Sequence, residues 1–306
     1  MANQVLVGST GFVGANLLAK HSFAMALHST NIANAFGKEN DLVVYAGVPA
    51  AMFLANSDPE ADLAVMRTAR ENLRKIHAKK TVLISSIAVY ADSRGKTEAD
   101  DPAGEGLAPY GANRLQLEKW VREDFPDALI VRLPALYGVN LKKNFLFDLH
   151  TITPAMLREE KYRELAAQSE LVKNGYSQGE NGFYKLNGKA DPQALREWFR
   201  AQSFNALSFT DSRSRYQFYP LARLWGDIET CLQKELTLVN LTTPPVSAAR
   251  VYEELTGKEW QNEKPALPFD YDLRSLHAEK LGGQNGYLCS EAQELADIKH
   301  FMEEWK

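Results

Sequence analysis

The stretch Val5-Leu6-Val7-Gly8-Ser9-Thr10-Gly11-Phe12-Val13-Gly14 constrains this chain more than any other. A short apolar run ends in three glycines spaced three apart, and an amphipathic run from Ala15 to Lys20 follows. That is the order of a buried strand, a tight turn and a helix start. Glycine suits such a turn because the backbone bends sharply there and leaves room for a pyrophosphate to approach. The helix start then offers free N–H groups and a partial positive charge to that phosphate. Any Gly-rich link between a strand and a helix reads alike, so the rest of the chain has to decide.

Phe23 to Leu27 reads as a short second strand, closed by His28-Ser29-Thr30-Asn31. A dinucleotide fold places an acidic residue here for the ribose hydroxyls, and this chain has none. Asp41 to Gly47 is the next strand, only a few residues later, so the unit between is short. Pro59 to His77 reads as a helix, with Leu63, Met66, Ala69, Leu73 and Ile76 at helical spacing after a good start at Asp58. Thr81 to Ile84 is a central parallel strand that runs on into Ser85 and Ser86. A helix from Tyr110 to about Glu123 and a strand from Ala128 to Leu133 follow.

Alternation of strand and helix predicts an α/β fold with a doubly wound parallel sheet. Beyond Lys142 the pattern changes. Pro154 to Lys173 reads as one charged helix, Phe183 to Leu186 as a strand, and Asp191 to Phe199 as a helix. Leu221 to Leu232 is helical and Leu236 to Leu241 strand-like.

With 306 residues, 45% hydrophobic and 24% charged, the chain has room for one large α/β domain and a smaller one. A net charge of −4 carries no nucleic-acid footprint. Cys231 and Cys289 make neither a disulfide framework nor a metal site, and no metal is expected. No apolar run approaches a membrane span, and no charged-then-apolar leader is visible, so the expected location is the cytoplasm.

Tyr110-Gly111-Ala112-Asn113-Arg114 places a phenol and a guanidinium four apart, on one helix face. Ser86 lies at the C-terminal end of a central strand, the edge where open α/β sheets bind ligands. A serine hydroxyl, a tyrosine and a nearby cation make a proton-transfer set, because the cation favours tyrosinate. On spacing alone, the same residues also describe a half-buried tyrosine and a surface arginine.

These pieces resemble, in order, the extended short-chain dehydrogenase/reductases, the NAD(P)-dependent nucleotide-sugar epimerase/dehydratase superfamily. They are G-S-T-G-F-V-G at Gly8 to Gly14, D-L-V-V-Y-A-G at Asp41 to Gly47, S-S-I-A-V-Y at Ser85 to Tyr90, and Glu98 and Pro102 ahead of Pro109-Tyr110-Gly111. V-R-L-P-A-L-Y-G at Val131 to Gly138 and Leu238 to Leu241 before Pro245-Val246-Ser247 complete the set. The match is thin from about Phe145 to Leu207.

The resemblance implies a Rossmann-type dinucleotide-binding domain over 1–140 plus roughly 219–243. It implies a smaller C-terminal α/β substrate domain over 141–218 and 244–306. Ser86, Tyr110 and Arg114 are then the catalytic set, with Tyr110 the acid/base. Gly8, Thr10, Gly11, Phe12, Val13 and Gly14 would hold the cofactor, joined by Ser29, Thr30, Ala46 and Gly47 and by Ser85, Tyr110, Arg114 and Leu133. Ser86 and Tyr110 would also meet the substrate, with Asn144, Arg213, Arg215 and Arg274 as further contacts. Arg213 and Arg215 stand near where relatives place an arginine against a nucleotide diphosphate. With no carboxylate after the second strand to repel a ribose 2′-phosphate, the choice between NADP and NAD leans to NADP.

The departures shape the functional reading. Relatives carry lysine at the position of Arg114, where it acts on the tyrosine and holds the nicotinamide ribose; arginine keeps the charge but brings a planar fork. Ala135 stands where many relatives have Asn, and Ala91 where Gly is usual. Ile87-Ala88 replaces the acidic pair of the 4,6-dehydratases, which leaves no group to eliminate water from a keto sugar. The expected activity is therefore an epimerase or keto-reductase acting on a nucleotide-linked sugar. The alternative is a dinucleotide-binding regulator or scaffold with impaired chemistry. A homodimer is expected, and the apolar stripe Leu117, Trp120, Val121 serves a core or an interface equally well.

Overall fold

The structure, a computed structural model, describes residues 3–179 and 182–305. Glu180 and Asn181, inside the Gly- and Asn-rich stretch that precedes the strand at Phe183, lie outside the described residues. In chain order the elements run β1 (Gln4–Val7), α1 (Phe12–Lys20), β2 (Met25–Leu27), β3 (Glu39–Tyr45), α2 (Met52–Ser57), α3 (Pro59–Lys75) and β4 (His77–Ser86). Next come α4 (Pro109–Asp124), β5 (Leu129–Leu133), β6 (Ala135–Tyr137), α5 (Phe145–Thr151), β7 (Met156–Arg158), α6 (Glu159–Ala166), α7 (Glu170–Gly175), β8 (Tyr176–Gln178), β9 (Phe183–Leu186) and α8 (Pro192–Arg200). The chain ends with β10 (Arg215–Tyr216), β11 (Phe218–Pro220), α9 (Leu224–Gln233), β12 (Leu238–Asn240), α10 (Ala248–Thr256) and α11 (Glu291–Glu304).

Two compact units form. The larger contains residues 3–141, 215–246 and 269–305 and is built on six parallel strands in the order β12-β5-β4-β3-β1-β2. Period-two alternation decides which side each strand residue faces. Leu6, Val44, Val82, Val131 and Val239 pack on one face with Leu17 of α1 and Ile228 of α9. Val5, Val43, Tyr45, Leu83 and Ile130 pack on the other with Met66 and Leu73 of α3 and Leu117 and Val121 of α4. This is the doubly wound α/β architecture that the alternation predicts. The stripe on α4 belongs to the chain's own core: Leu117 and Val121 are buried and Trp120 packs against them, with Arg70 over its ring.

β4 begins four residues before the apolar run that signals it. His77 to Lys80 lack an apolar pattern, but they extend the ladder along β3, and Lys79 pairs with Asp41 at 2.8 Å. Residues 269–305 of the segment expected with the substrate domain pack instead with the sheet unit. Leu281 and Leu288 join its core, and Leu295 and Ile298 of α11 are buried. Residues 215–218 belong with it too.

The smaller unit comprises Lys142–Ser214 and Ser247–Pro268. The charged helix expected from Pro154 to Lys173 is three elements: β7, α6 and α7. Met156–Arg158 pairs antiparallel with Phe183–Leu186, which draws the start into an extended strand. Ser169 then caps a fresh helix by accepting from the Val172 amide. Among the described residues no helix is long and apolar enough to cross a membrane, and no cluster of His, Cys, Asp and Glu could hold a metal ion.

Glu294 of α11 anchors that helix to the sheet unit. Its Oε1 accepts from the Phe218 amide at 2.8 Å and from Thr243 Oγ1 at 3.0 Å, while Oε2 is buried without a partner. Burial pushes its carboxyl from 4.5 up to about 8. A raised carboxyl favours the folded state most below pH 4.5, and the contribution is lost as pH rises through 8. Glu294→Gln keeps the acceptor oxygen and removes the titration. The melting temperature of the wild type should therefore fall relative to that of Glu294→Gln between pH 5 and pH 9, measured by scanning calorimetry. Parallel curves for the two proteins would contradict the assignment.

Candidate active site

The glycine turn joins β1 to α1 at the point where strand order reverses, between β1 and β3. Open α/β sheets bind ligands at that switch point. Gly8 has φ +90, and a Cβ on it would lie 2.4 Å from the Ala46 carbonyl oxygen. A Cβ on Gly14 would lie 2.1 Å from the Gly8 carbonyl oxygen. These two glycines allow the ends of β1, β3 and α1 to meet. Gly11 differs: its φ of −75 suits any residue, and its Cβ position meets only the Gly8 oxygen, at 3.2 Å. Gly11 and Thr10 are exposed, and the N-terminus of α1 has no side-chain cap. The first-turn amides at Phe12 and Val13 and the helix dipole thus make a cradle that suits a pyrophosphate.

Ser29 and Thr30 follow β2 and are exposed, with Thr30 Oγ1 at 3.1 Å from His28 Nδ1. Ala46 and Gly47 close β3 beside Gly8. The Leu133 side chain, at the end of β5, packs in the apolar core on the same face as Leu129 and Val131. The Ser85 hydroxyl is also engaged inside the protein, donating to Glu118 Oε1 at 2.6 Å.

Ser86 ends β4 and caps the turn Ile87–Val89, its Oγ accepting from the Ala88 amide at 3.1 Å. Tyr110 sits in the first turn of α4, held by its amide donating to Asn56 Oδ1 at 2.9 Å. Residue 111 brings these two segments together. A Cβ there would lie 2.0 Å from the Ala88 carbonyl oxygen, so only glycine permits the approach. The Tyr110 side chain is largely buried, and its hydroxyl makes no hydrogen bond among the described residues.

Arg114 does stand against Tyr110, with its guanidinium carbon 3.6 Å from the ring centroid. Its Nη donors have partners inside the chain. Nη1 donates to Asp62 Oδ2 at 2.6 Å and to the Tyr110 carbonyl at 3.0 Å; Nη2 donates to Asp62 Oδ1 at 3.1 Å and to the Pro49 carbonyl at 2.7 Å. Arg114 is 4% exposed. Arg114 and Asp62 thus form a buried ion pair between α4 and α3.

Behind Ser86 lies a polar network that the sequence reading missed. Arg132 of β5 and Glu118 of α4 form a buried bidentate pair, and Arg132 Nη1 donates to Tyr90 Oη at 2.7 Å. Asn240 Nδ2 of β12 donates to Tyr90 Oη, and its amide to Glu98 Oε1. One signal was available: an arginine inside the apolar run Leu129–Leu133 demands an internal acid. The partnership of Asp62 and Asn56 with α4 left no comparable mark.

The expected substrate arginines all have partners inside the chain. Arg213 is held by Asp211, Glu263 and the Lys264 carbonyl, and its side-chain hydrogen bonds to Asp211 keep that carboxyl well below the usual range. Arg215 pairs with Asp270 at 3.2 Å. Arg274 lies 3.6 Å from Asp272 and over the Tyr287 ring. Each arginine thus has its own carboxylate. Asn144 caps α5 with φ 120, accepting from the Phe147 amide at 3.1 Å. One turn on, burial pushes the Asp148 carboxyl up to about 7; nothing in the sequence marked it.

Residues 4–160 match the model of the RmlD substrate binding domain family. The chain has no match among curated protein sequences. Several solved structures share its fold over nearly the whole length. A dTDP-4-dehydrorhamnose reductase from Bacillus anthracis, in complex with NADP, is 14% identical over 100% of both chains, with a TM-score of 0.60. A UDP-N-acetylglucosamine 4-epimerase from Methanobrevibacter ruminantium, in complex with UDP-N-acetylmuramic acid, is 12% identical over 99% of this chain and 97% of that one, TM-score 0.62. An NAD-dependent NDP-hexosamine 5,6-dehydratase of tunicamycin biosynthesis is 13% identical over 100% and 99%, TM-score 0.63.

The approach at Gly111 is directly testable. Gly111→Ala should lower stability by about 1–3 kcal/mol, because backbone rather than a flexible side chain has to give way. Urea unfolding measures this, and an unchanged midpoint would contradict the geometry.

Proposed function

Because the chain belongs to the RmlD substrate binding domain family, within the extended short-chain dehydrogenase/reductases, we propose that it is an NAD(P)-dependent epimerase or keto-reductase of a nucleotide-linked sugar. One observation carries this reading. Gly111 lets the turn bearing Tyr110 sit against the turn that follows Ser86, which keeps a free phenol and a serine hydroxyl on adjoining segments at the sheet's ligand-binding edge. The glycine cradle supports the dinucleotide half of the reading. NADP is favoured over NAD because Ser29 and Thr30 can donate to a 2′-phosphate and no carboxylate follows β2 to repel it.

A bound nicotinamide dinucleotide supplies hydride transfer. The chain's own residues then handle the proton. Tyr110 gives a proton to the substrate oxygen as the phenol, or takes one from it as the phenolate, and Ser86 Oγ hydrogen-bonds the same oxygen. The α1 N-terminus holds the pyrophosphate, and the larger and smaller units serve as dinucleotide-binding and substrate-binding domains.

A second reading, a dinucleotide-binding regulator with impaired chemistry, is favoured by one observation: Arg114 is sequestered by Asp62, Pro49 and its own helix.

Two variants separate the readings. Tyr110→Phe should leave NADPH affinity within about threefold and lower turnover of dTDP- and UDP-linked keto sugars by about a hundredfold or more. Wild-type protein that binds NADPH but turns over none of these sugars favours the regulator. Gly11→Val should fold and lose NADPH binding, because its Cβ meets only the Gly8 carbonyl oxygen, at 3.2 Å, where a shift of a few tenths of an ångström suffices, and the side chain stands at the turn that the phosphate approaches. Unchanged affinity, by fluorescence titration, would refute the cradle.

A further inference from the structure

Asp62 and Arg114 form the tightest arrangement of charge around Tyr110. The carboxylate accepts two bonds from the guanidinium, at 2.6 and 3.1 Å, and a third from Asn113 Nδ2 at 2.9 Å. Asn113 also donates to the Pro59 carbonyl at 2.8 Å, which ties the first turn of α3 to α4. Both members of the pair are nearly dry, with side-chain exposures of 5% and 11%. A bidentate bond fixes the plane of a guanidinium as well as its position. Here the guanidinium carbon lies over the Tyr110 ring, 3.6 Å from its centroid.

We propose that Asp62 is a positioning residue: through Arg114 it clamps the Tyr110 ring, and position 114 is committed to that clamp rather than to a cofactor ribose. Four of the five guanidinium N–H groups already have acceptors inside the chain. Beyond the one N–H on Nε, a ribose hydroxyl at Arg114 would have to displace one of these partners and leave a buried oxygen unpaired, which is unfavourable. Lysine cannot replace arginine in this role. Its single ammonium offers three donors from one point and has no plane to stack on the ring. The clamp itself stands on the chain's own contacts; only its consequence for the ribose rests on the dinucleotide reading above.

The full-length protein and the variants Asp62→Asn, Arg114→Gln, Arg114→Lys and Asp62→Asn/Arg114→Gln test this. Each single variant should melt roughly 5–10 °C lower, and the double variant little lower than either single one. The ¹³Cζ NMR signal of Tyr110, assigned by its absence in Tyr110→Phe, should move in Asp62→Asn below its melting range. That shift would not arise from a loss of stability alone. NADPH affinity of Arg114→Lys, by fluorescence titration, should stay within about threefold of wild type. Additive melting losses, or an unmoved tyrosine signal, would overturn the clamp. A tenfold or greater gain in NADPH affinity with Arg114→Lys, or a like loss with a folded Arg114→Gln, would overturn the claim about position 114. Wild-type protein that binds neither NADPH nor NADH would instead overturn the dinucleotide reading, and the melting and NMR results would still decide the clamp.

Discussion

Arg132 is a charge in the middle of a parallel sheet, on a strand whose five residues are all buried. A guanidinium there must be neutralised within the protein, because an unpaired buried ion costs several kcal/mol. Glu118 meets it bidentately from α4, and the same carboxylate accepts from Ser85 on β4. Tyr90 takes another guanidinium N–H, and Asn240 of β12 donates to Tyr90. One desolvated charge thereby joins α4 to three neighbouring strands and to the loop after β4. The position of α4 depends on this pair, and with it the position of Tyr110.

Three constraints act along α4 at different depths. At its start Gly111 permits contact with the turn after Ser86. One turn later Arg114 ties it to α3 and to the segment after β3. Further along, Leu117 and Val121 enter the core beneath the sheet, and Arg70 of α3 pairs with Asp124 near the end of α4. Apolar burial alone would tolerate a small slide of the helix. Directional bonds at Glu118 and Arg114 restrict that slide, which a tyrosine acting on a substrate oxygen requires.

Periodicity made the sheet legible. The apolar runs at Val5 to Val7, Asp41 to Tyr45 and Leu129 to Leu133 are strands, and the helical spacing from Leu63 to Ile76 is α3. The glycine turn was legible because a strand, three glycines and a helix start lie in consecutive residues. Between Pro154 and Lys173 the same method failed. Charged residues there satisfy a helix pattern, but pairing with a strand almost thirty residues later decides the conformation of its first part. The end of the chain was misassigned for a related reason: nothing in α11 itself shows that Glu294 accepts from the Phe218 amide.

Arg114 divides the two kinds of knowledge most clearly. Sequence alone determined that residues 110 and 114 share a helix face, because 3.6 residues per turn require it, and the contact of guanidinium with phenol ring follows. Sequence alone likewise determined that a glycine-bounded helix start follows the first strand. Only the tertiary structure decided what Arg114 binds. Asp62 lies 52 residues away in the chain and Pro49 65 away, and both come within hydrogen-bond reach only when α2, α3 and α4 pack together. Local pattern follows from backbone geometry and is written in consecutive residues. The partner of a buried charge is set by distance in space, to which residues anywhere in the chain contribute.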